Sequence, residues 1–163
     1  AMTRTILRQI TMIAGLGLLA AAWPAAQPAA QHAGHQNHGQ PAQTAKRQPA
    51  PRGAQVYFHY PLDGISVSER FTVRIGLKEM GVAPAGVTTP ATGHHHLLID
   101  VDSIVPDQPI PADYNHIHLG NGQTEVVVTL PKGRHTLQLL LGDHAHVPHD
   151  PPVMSQKIRI NVR

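Results

Sequence analysis

The chain has 163 residues, with 13 His, 15 Pro, 14 Gly and no Cys. This length fits one domain with appendages, and the missing Cys excludes disulfides and thiolate metal sites, leaving imidazole, carboxylate, thioether and backbone groups as ligands. The formal charge of +3 is a local excess from Arg4, Arg8, Lys46, Arg47 and Arg52; from Ala54 onward eight basic residues meet ten acidic ones, a net of −2, so no basic stripe exists to bind nucleic acid.

The first segment, AMTRTILRQITMIAGLGLLAAAWPAAQPAA, opens with Arg4 and Arg8. An apolar run from Ile10 to Ala22 follows, then Ala-rich sequence with cleavable positions after Ala22 or Ala26. The run is shorter than the about 20 residues that span a bilayer. This order is that of a secretory signal peptide. Residues 1–26 are therefore expected to be cleaved, giving a periplasmic or secreted protein with no membrane association afterwards. Residues 27–53, QPAAQHAGHQNHGQPAQTAKRQPAPRG, hold almost nothing to bury and predict a disordered linker. Within it His32, His35 and His38 recur every third residue, a tract able to collect metal ions loosely.

From Ala54 to Arg163 the pattern becomes β-type. Short apolar or alternating runs at 55–60, 71–77, 96–101, 124–130, 135–141 and 157–162 are separated by Gly, Pro and Asp, and no useful length has helical period. The expectation is an all-β domain, an immunoglobulin-like antiparallel β-sandwich, with a cupredoxin-like barrel as the alternative.

The histidines of this domain fall into three clusters. In TGHHHLLID (92–100), alternation sets His95 with Leu97, Ile99 and Val101 on the core face, and His94 with His96, Leu98 and Asp100 on the other. A pair at i, i+2 can ligate one ion from a strand where adjacent residues cannot. His116 and His118 in NHIHLGNGQTE repeat that spacing. The third cluster, GDHAHVPHDPPV (142–153), carries His144, His146 and His149 on a loop stiffened by Pro148, Pro151 and Pro152. His–X–His joined by a third, distant His is a common way to build a three-nitrogen metal site with a position left open. His59 and His135 lie within strands and read as structural.

TGHHHLLID, PIPADYNHIHLGNGQTE and GRHTLQLLLGDHAHVPHDPPVMS, preceded by GLKEMGVAPAG, together resemble a bacterial exported family known as domain of unknown function 4399. The resemblance covers roughly residues 56–162. It implies that the family's shared histidines fall on His94, His95, His96, His116, His118, His146 and His149, with His144 an extra of this sequence, and it implies no activity.

The expected function is that of a periplasmic metal-binding protein, for copper first and zinc next by the Irving–Williams order, in buffering, delivery or resistance. Its partners would be the metal ion and a periplasmic metallochaperone or metalloenzyme client. Affinity should fall below about pH 6, where imidazoles protonate. One alternative is a small metal-dependent hydrolase or oxidase with Glu125 or Asp143 as general base, although no HExxH helix is present. The other is a structural or adhesive envelope module whose histidines form a hydrogen-bonded network.

Overall fold

The structure, a computed structural model, describes residues 46–163. The expected signal peptide and the His32, His35 and His38 tract lie outside the described residues. Nine strands follow in order: β1 (Gln55–Tyr60), β2 (Ser66–Val67), β3 (Arg70–Lys78), β4 (Gly81–Val82), β5 (Thr92–Ile99), β6 (His116–Leu119), β7 (Glu125–Thr129), β8 (Gly133–Gly142) and β9 (Ile158–Val162). Among the described residues there is no helix.

The strands form two open sheets. One has the order β1-β3-β7; the other runs β2-β9-β8-β5-β4, with β6 also paired to β5. Alternation builds the core between them. On β3, Phe71, Val73 and Ile75 are buried inward, while the intervening Thr72 and Arg74 are not. Val56 and Val128 join them from β1 and β7. The second sheet contributes Leu97, Ile99, Leu137, Leu139, Leu141, Ile158, Ile160 and Val162. The all-β sandwich class is as expected. A closed barrel does not form, and the pairing is not purely antiparallel, because the short edge pairs β2–β9 and β4–β5 run parallel.

Three local differences from the sequence reading have physical causes. First, β5 begins four residues earlier than expected and is buried from Gly93 to Ile99 without alternation. A loop after β5 folds back over the outer face of the second sheet, where Leu98, Ile110 and Leu140 form a small second core. A strand covered on both faces has no polar side to display. Second, Val101 does not continue the inner row. Asp100 adopts φ 54°, which ends the strand, and Val101 packs with the outer core instead. The turn is held by Asp100, whose Oδ1 accepts the Thr136 N–H at 2.7 Å.

Third, the linker does not extend to residue 53. The backbone N–H of Ala50 donates to Asp150 O, and that of Asp150 to Gln48 O, each at 2.8 Å. Arg47 Nε donates to Pro148 O at 3.1 Å, and its Nη2 donates to His149 O. Residues 47–50 are thus paired along the His-bearing loop. They look like linker in sequence because backbone groups and one Arg hold them, and neither leaves a hydrophobic pattern.

Candidate metal centre

The outer face of β5 carries His94 and His96, as the alternation requires. Antiparallel register sets His118 of β6 directly opposite His96, and Gly142 of β8 opposite His94. Facing residues on paired strands have Cβ atoms about 5 Å apart, so three imidazoles meet over one patch of sheet. A fourth comes from the loop after β8. Asp143 organises that loop: its Oδ1 accepts the N–H groups of Ala145 at 2.8 Å and Val147 at 2.9 Å. Its backbone carbonyl also accepts from the His146 N–H at 3.0 Å. His146 is held at φ 67°, an unusual conformation for a residue with a Cβ. This kink carries its ring over the other three.

Ring centroids lie 4.9 Å apart for His94–His96, His94–His118 and His94–His146, and 4.8 Å for His118–His146. The Nε2 atoms of His94 and His96 approach to 3.0 Å. One ligand atom from each of His94, His96 and His118 falls within 4.8 Å of the others, so these three can hold a metal ion. His94 and His96 are fully buried and His118 is exposed, which leaves the group open to solvent on one side.

Two glycines make room for the rings. A Cβ on Gly120 would come within 2.2 Å of His118 Cε1, and one on Gly142 within 3.0 Å of His96 Nε2. Neither has positive φ; what each supplies is space.

The electrostatics favour neutral rings. Burial, followed by the neighbouring His146 and His118, lowers the His94 pKa from 6.5 to about 4; Asp143 opposes this weakly. His96 is pushed lower still by burial and then by His94. His118 is also lowered, by burial and by His146. A neutral imidazole is the form that ligates a metal. The Nδ1 atoms of His94 and His96 are buried without a hydrogen-bond partner among the described residues. Such orphaned groups cost about 1–3 kcal/mol each.

The remaining histidines are placed elsewhere. His95 faces inward with Leu97, fully buried, both ring nitrogens unpartnered, and burial lowers its pKa to about 4. His149 also lies on the inner side of β5, its Cε1 3.1 Å from where a Gly93 Cβ would stand. His116 shares the outer face but sits one strand repeat along, with Nδ1 2.8 Å from Asp113 Oδ1. His144 is partly exposed, 3.9 Å from Asp143 Oδ2. His135 is structural as expected, with Nδ1 2.7 Å from Asp100 Oδ2 and Nε2 donating to Pro131 O at 3.0 Å. His59 packs edge-on to Tyr57. Of the two acids considered as general bases, Asp143 is engaged by its own loop and Glu125 is paired with Arg74 at 3.7 Å.

Sequence reasoning passed over Gly120, Gly142, Asp113 and Arg47. Gly120 had a signal, because it lies two residues from His118, in HLG, where a side chain would compete with the ring for space, whereas Gly142 meets His96 only through the register of β8 on β5. Arg47 had none.

A family model described as "Domain of unknown function (DUF4399)" matches residues 73–163, more than half of the chain, and includes all four clustered histidines. No curated protein and no solved structure matches the chain.

Proposed function

The chain belongs to the DUF4399 family, and from the geometry we propose that it is a periplasmic metal-binding protein, for copper first and zinc next, acting in buffering, delivery or resistance. The carrying observation is the convergence of His94, His96 and His118 ligand atoms within 4.8 Å, with the His146 ring alongside. An all-nitrogen donor set suits Cu(II), then Zn(II). The closest nitrogen pair fits either ion, and rings whose ligand atoms lie as much as 4.8 Å apart draw inward on binding. Nitrogens 2.0–2.1 Å from an ion are about 3.3 Å apart at tetrahedral angles and about 2.9 Å apart at right angles. The His94–His96 separation of 3.0 Å lies between.

A purely structural network would pair each imidazole with a carboxylate or carbonyl. His116 and His135 are paired that way. The cluster is not: it touches mainly other histidines and leaves buried nitrogens unpartnered. An ion between the His94 and His96 Nε2 atoms would accept both of their lone pairs, where without it the two facing nitrogens share a single proton. The proposed partners are the ion itself and a periplasmic chaperone or client that exchanges it through the His118 side.

The test is calorimetric titration with Cu²⁺ and Zn²⁺ in a His32→Ala/His35→Ala/His38→Ala background, beside a version that adds His96→Ala and His118→Ala. Submicromolar binding of one ion, weakened about tenfold or more (about 1.4 kcal/mol or more) by the pair of changes, is expected. Weak binding that is equal in both proteins would sink the proposal.

A further inference from the structure

We propose that β7 is a self-association edge, on which a second copy of this chain adds its own β7, antiparallel about a two-fold axis at Val127, so that the two β1-β3-β7 sheets become one continuous sheet. The inference stands apart from the metal reading, because the clustered histidines of β5 and β6 belong to the other sheet.

The ladder between β3 and β7 determines which backbone groups are spare. At its two ends the Ile75 N–H donates to Thr124 O and the Leu130 N–H donates to Glu69 O, each at 2.9 Å. The pairs Val73–Val126 and Phe71–Val128 lie between them in the same register. Along an antiparallel strand, successive residues turn their N–H and C=O groups to opposite sides. Thr124, Val126, Val128 and Leu130 therefore bond to β3. Glu125, Val127 and Thr129 turn theirs outward, to an edge where no strand is paired among the described residues.

Edge strands are commonly blunted by shortness, a bulge, Pro or Lys. β1, the other edge of this sheet, has a bulge between Phe58 and Tyr60 and runs into Pro61. In the second sheet β2 and β4 have two residues each. β7 has none of these devices. EVVVT is a regular strand of five residues, and Val127 on its outer face is 49% exposed.

The edge is complementary to itself. Pairing Val127 with Val127 of a second copy sets Glu125 opposite Thr129 and Thr129 opposite Glu125, and all three pairs have their backbone groups in the gap. Each pair exchanges two N–H···O bonds, and the contacts are reciprocal, as a two-fold interface requires. The two exposed valines cover each other. On the outer face Arg74, Thr72 and Arg70 of β3 stand beside Glu125, Val127 and Thr129. Glu125, with Arg74 at 3.7 Å in its own chain, thus meets Arg70 of the second copy across Thr129. Arg70 is exposed and has no ion pair among the described residues. No like charges come directly opposite each other, an arrangement that would be destabilising.

The experiment is sedimentation velocity of the full-length protein over a range of concentrations, with a chelator present so that no ion bridges two copies. The expected result is a monomer–dimer equilibrium with a Kd below about 100 μM. Val127→Lys, which sets two ammonium groups opposite each other, should weaken it at least tenfold. The absence of Cys makes the register testable. Residues in a hydrogen-bonded antiparallel pair have Cα atoms about 5.5 Å apart, within disulfide reach, so Val127→Cys should cross-link to itself on mild oxidation. The two copies of position 125 are four residues apart along the ladder, more than about 13 Å, so Glu125→Cys should stay unlinked. A monomer at every concentration would overturn the proposal, whatever else covers the edge. A dimer unaffected by Val127→Lys would move the interface off β7. Cross-linking of Glu125→Cys as readily as Val127→Cys would overturn the register. The unaltered protein and the cysteine pair decide the matter even if the Lys variant fails to fold.

Discussion

His96 and His118 stand directly opposite each other on β5 and β6, with ring centroids 5.1 Å apart and planes 30° from parallel. His116, two residues earlier on the same strand, faces Leu98 instead and gives its Nδ1 to Asp113. The two halves of one His–X–His therefore have different surroundings. His118→Ala should weaken Cu²⁺ binding about tenfold or more, and His116→Ala should change it less than about threefold. Parallel titrations check this, and equal losses would mean that both rings ligate.

Gly142 lies opposite His94, and a Cβ there would meet His96 Nε2 at 3.0 Å and Ile110 Cδ1 at 3.3 Å. Contacts this close require the ring or the isoleucine to move. Gly142→Ala should therefore cost metal affinity, about tenfold, with a smaller loss of fold stability, about 1 kcal/mol. The measurement is a metal titration beside a denaturant melt. Undiminished affinity would show that the His96 ring is not fixed by this contact.

The alternation of β3 and β5 made the sandwich and the opposed faces of His94, His95 and His96 legible from sequence, because period-two patterning is a local property. The i, i+2 argument also separated His95 from its neighbours. What could not be read was register. That His118 rather than His116 meets His96 depends on how β6 slides along β5. That His146 rather than His149 joins them depends on the Asp143 turn and a φ of 67°. The covering of the outer face was also hidden, since Leu98 and Leu140 look like ordinary strand residues until the loop bearing Ile110 closes over them.

His95 should be a liability in acid and a small cost at neutrality. Both its ring nitrogens are buried and unpartnered, and its pKa is about 4 when folded against 6.5 for an ordinary imidazole. Between those values the unfolded state binds more protons. Stability is therefore full above about pH 6.5 and is lost as pH falls towards 4, by about 3 kcal/mol from this residue alone. His94 and His96 act in the same direction. The metal site gains from the same burial: proton competition for His94 should set in near pH 4, below the pH of about 6 expected for an exposed histidine. His95→Leu should raise stability at pH 7 by about 1–2 kcal/mol, flatten the acid loss and leave metal binding intact. Denaturant melts from pH 7 to 4 test this, and an unchanged acid slope in the variant would contradict it.

Arg47 joins the start of the folded region to the loop that carries His146. Its side chain is mostly buried, donates to the carbonyls of Pro148 and His149, and lies 3.2 Å from Asp150 Oδ1. Those carbonyls are two and three residues beyond His146, so the guanidinium limits how far the loop can open. Lys has a single charged nitrogen and cannot reproduce a fork that reaches two carbonyls and a carboxylate. Arg47→Ala should lower fold stability by about 1–3 kcal/mol and weaken metal binding about three- to tenfold, while Arg47→Lys should recover only part of either. A stability loss without any change in metal affinity would show that the His146 ring is positioned by the Asp143 turn alone.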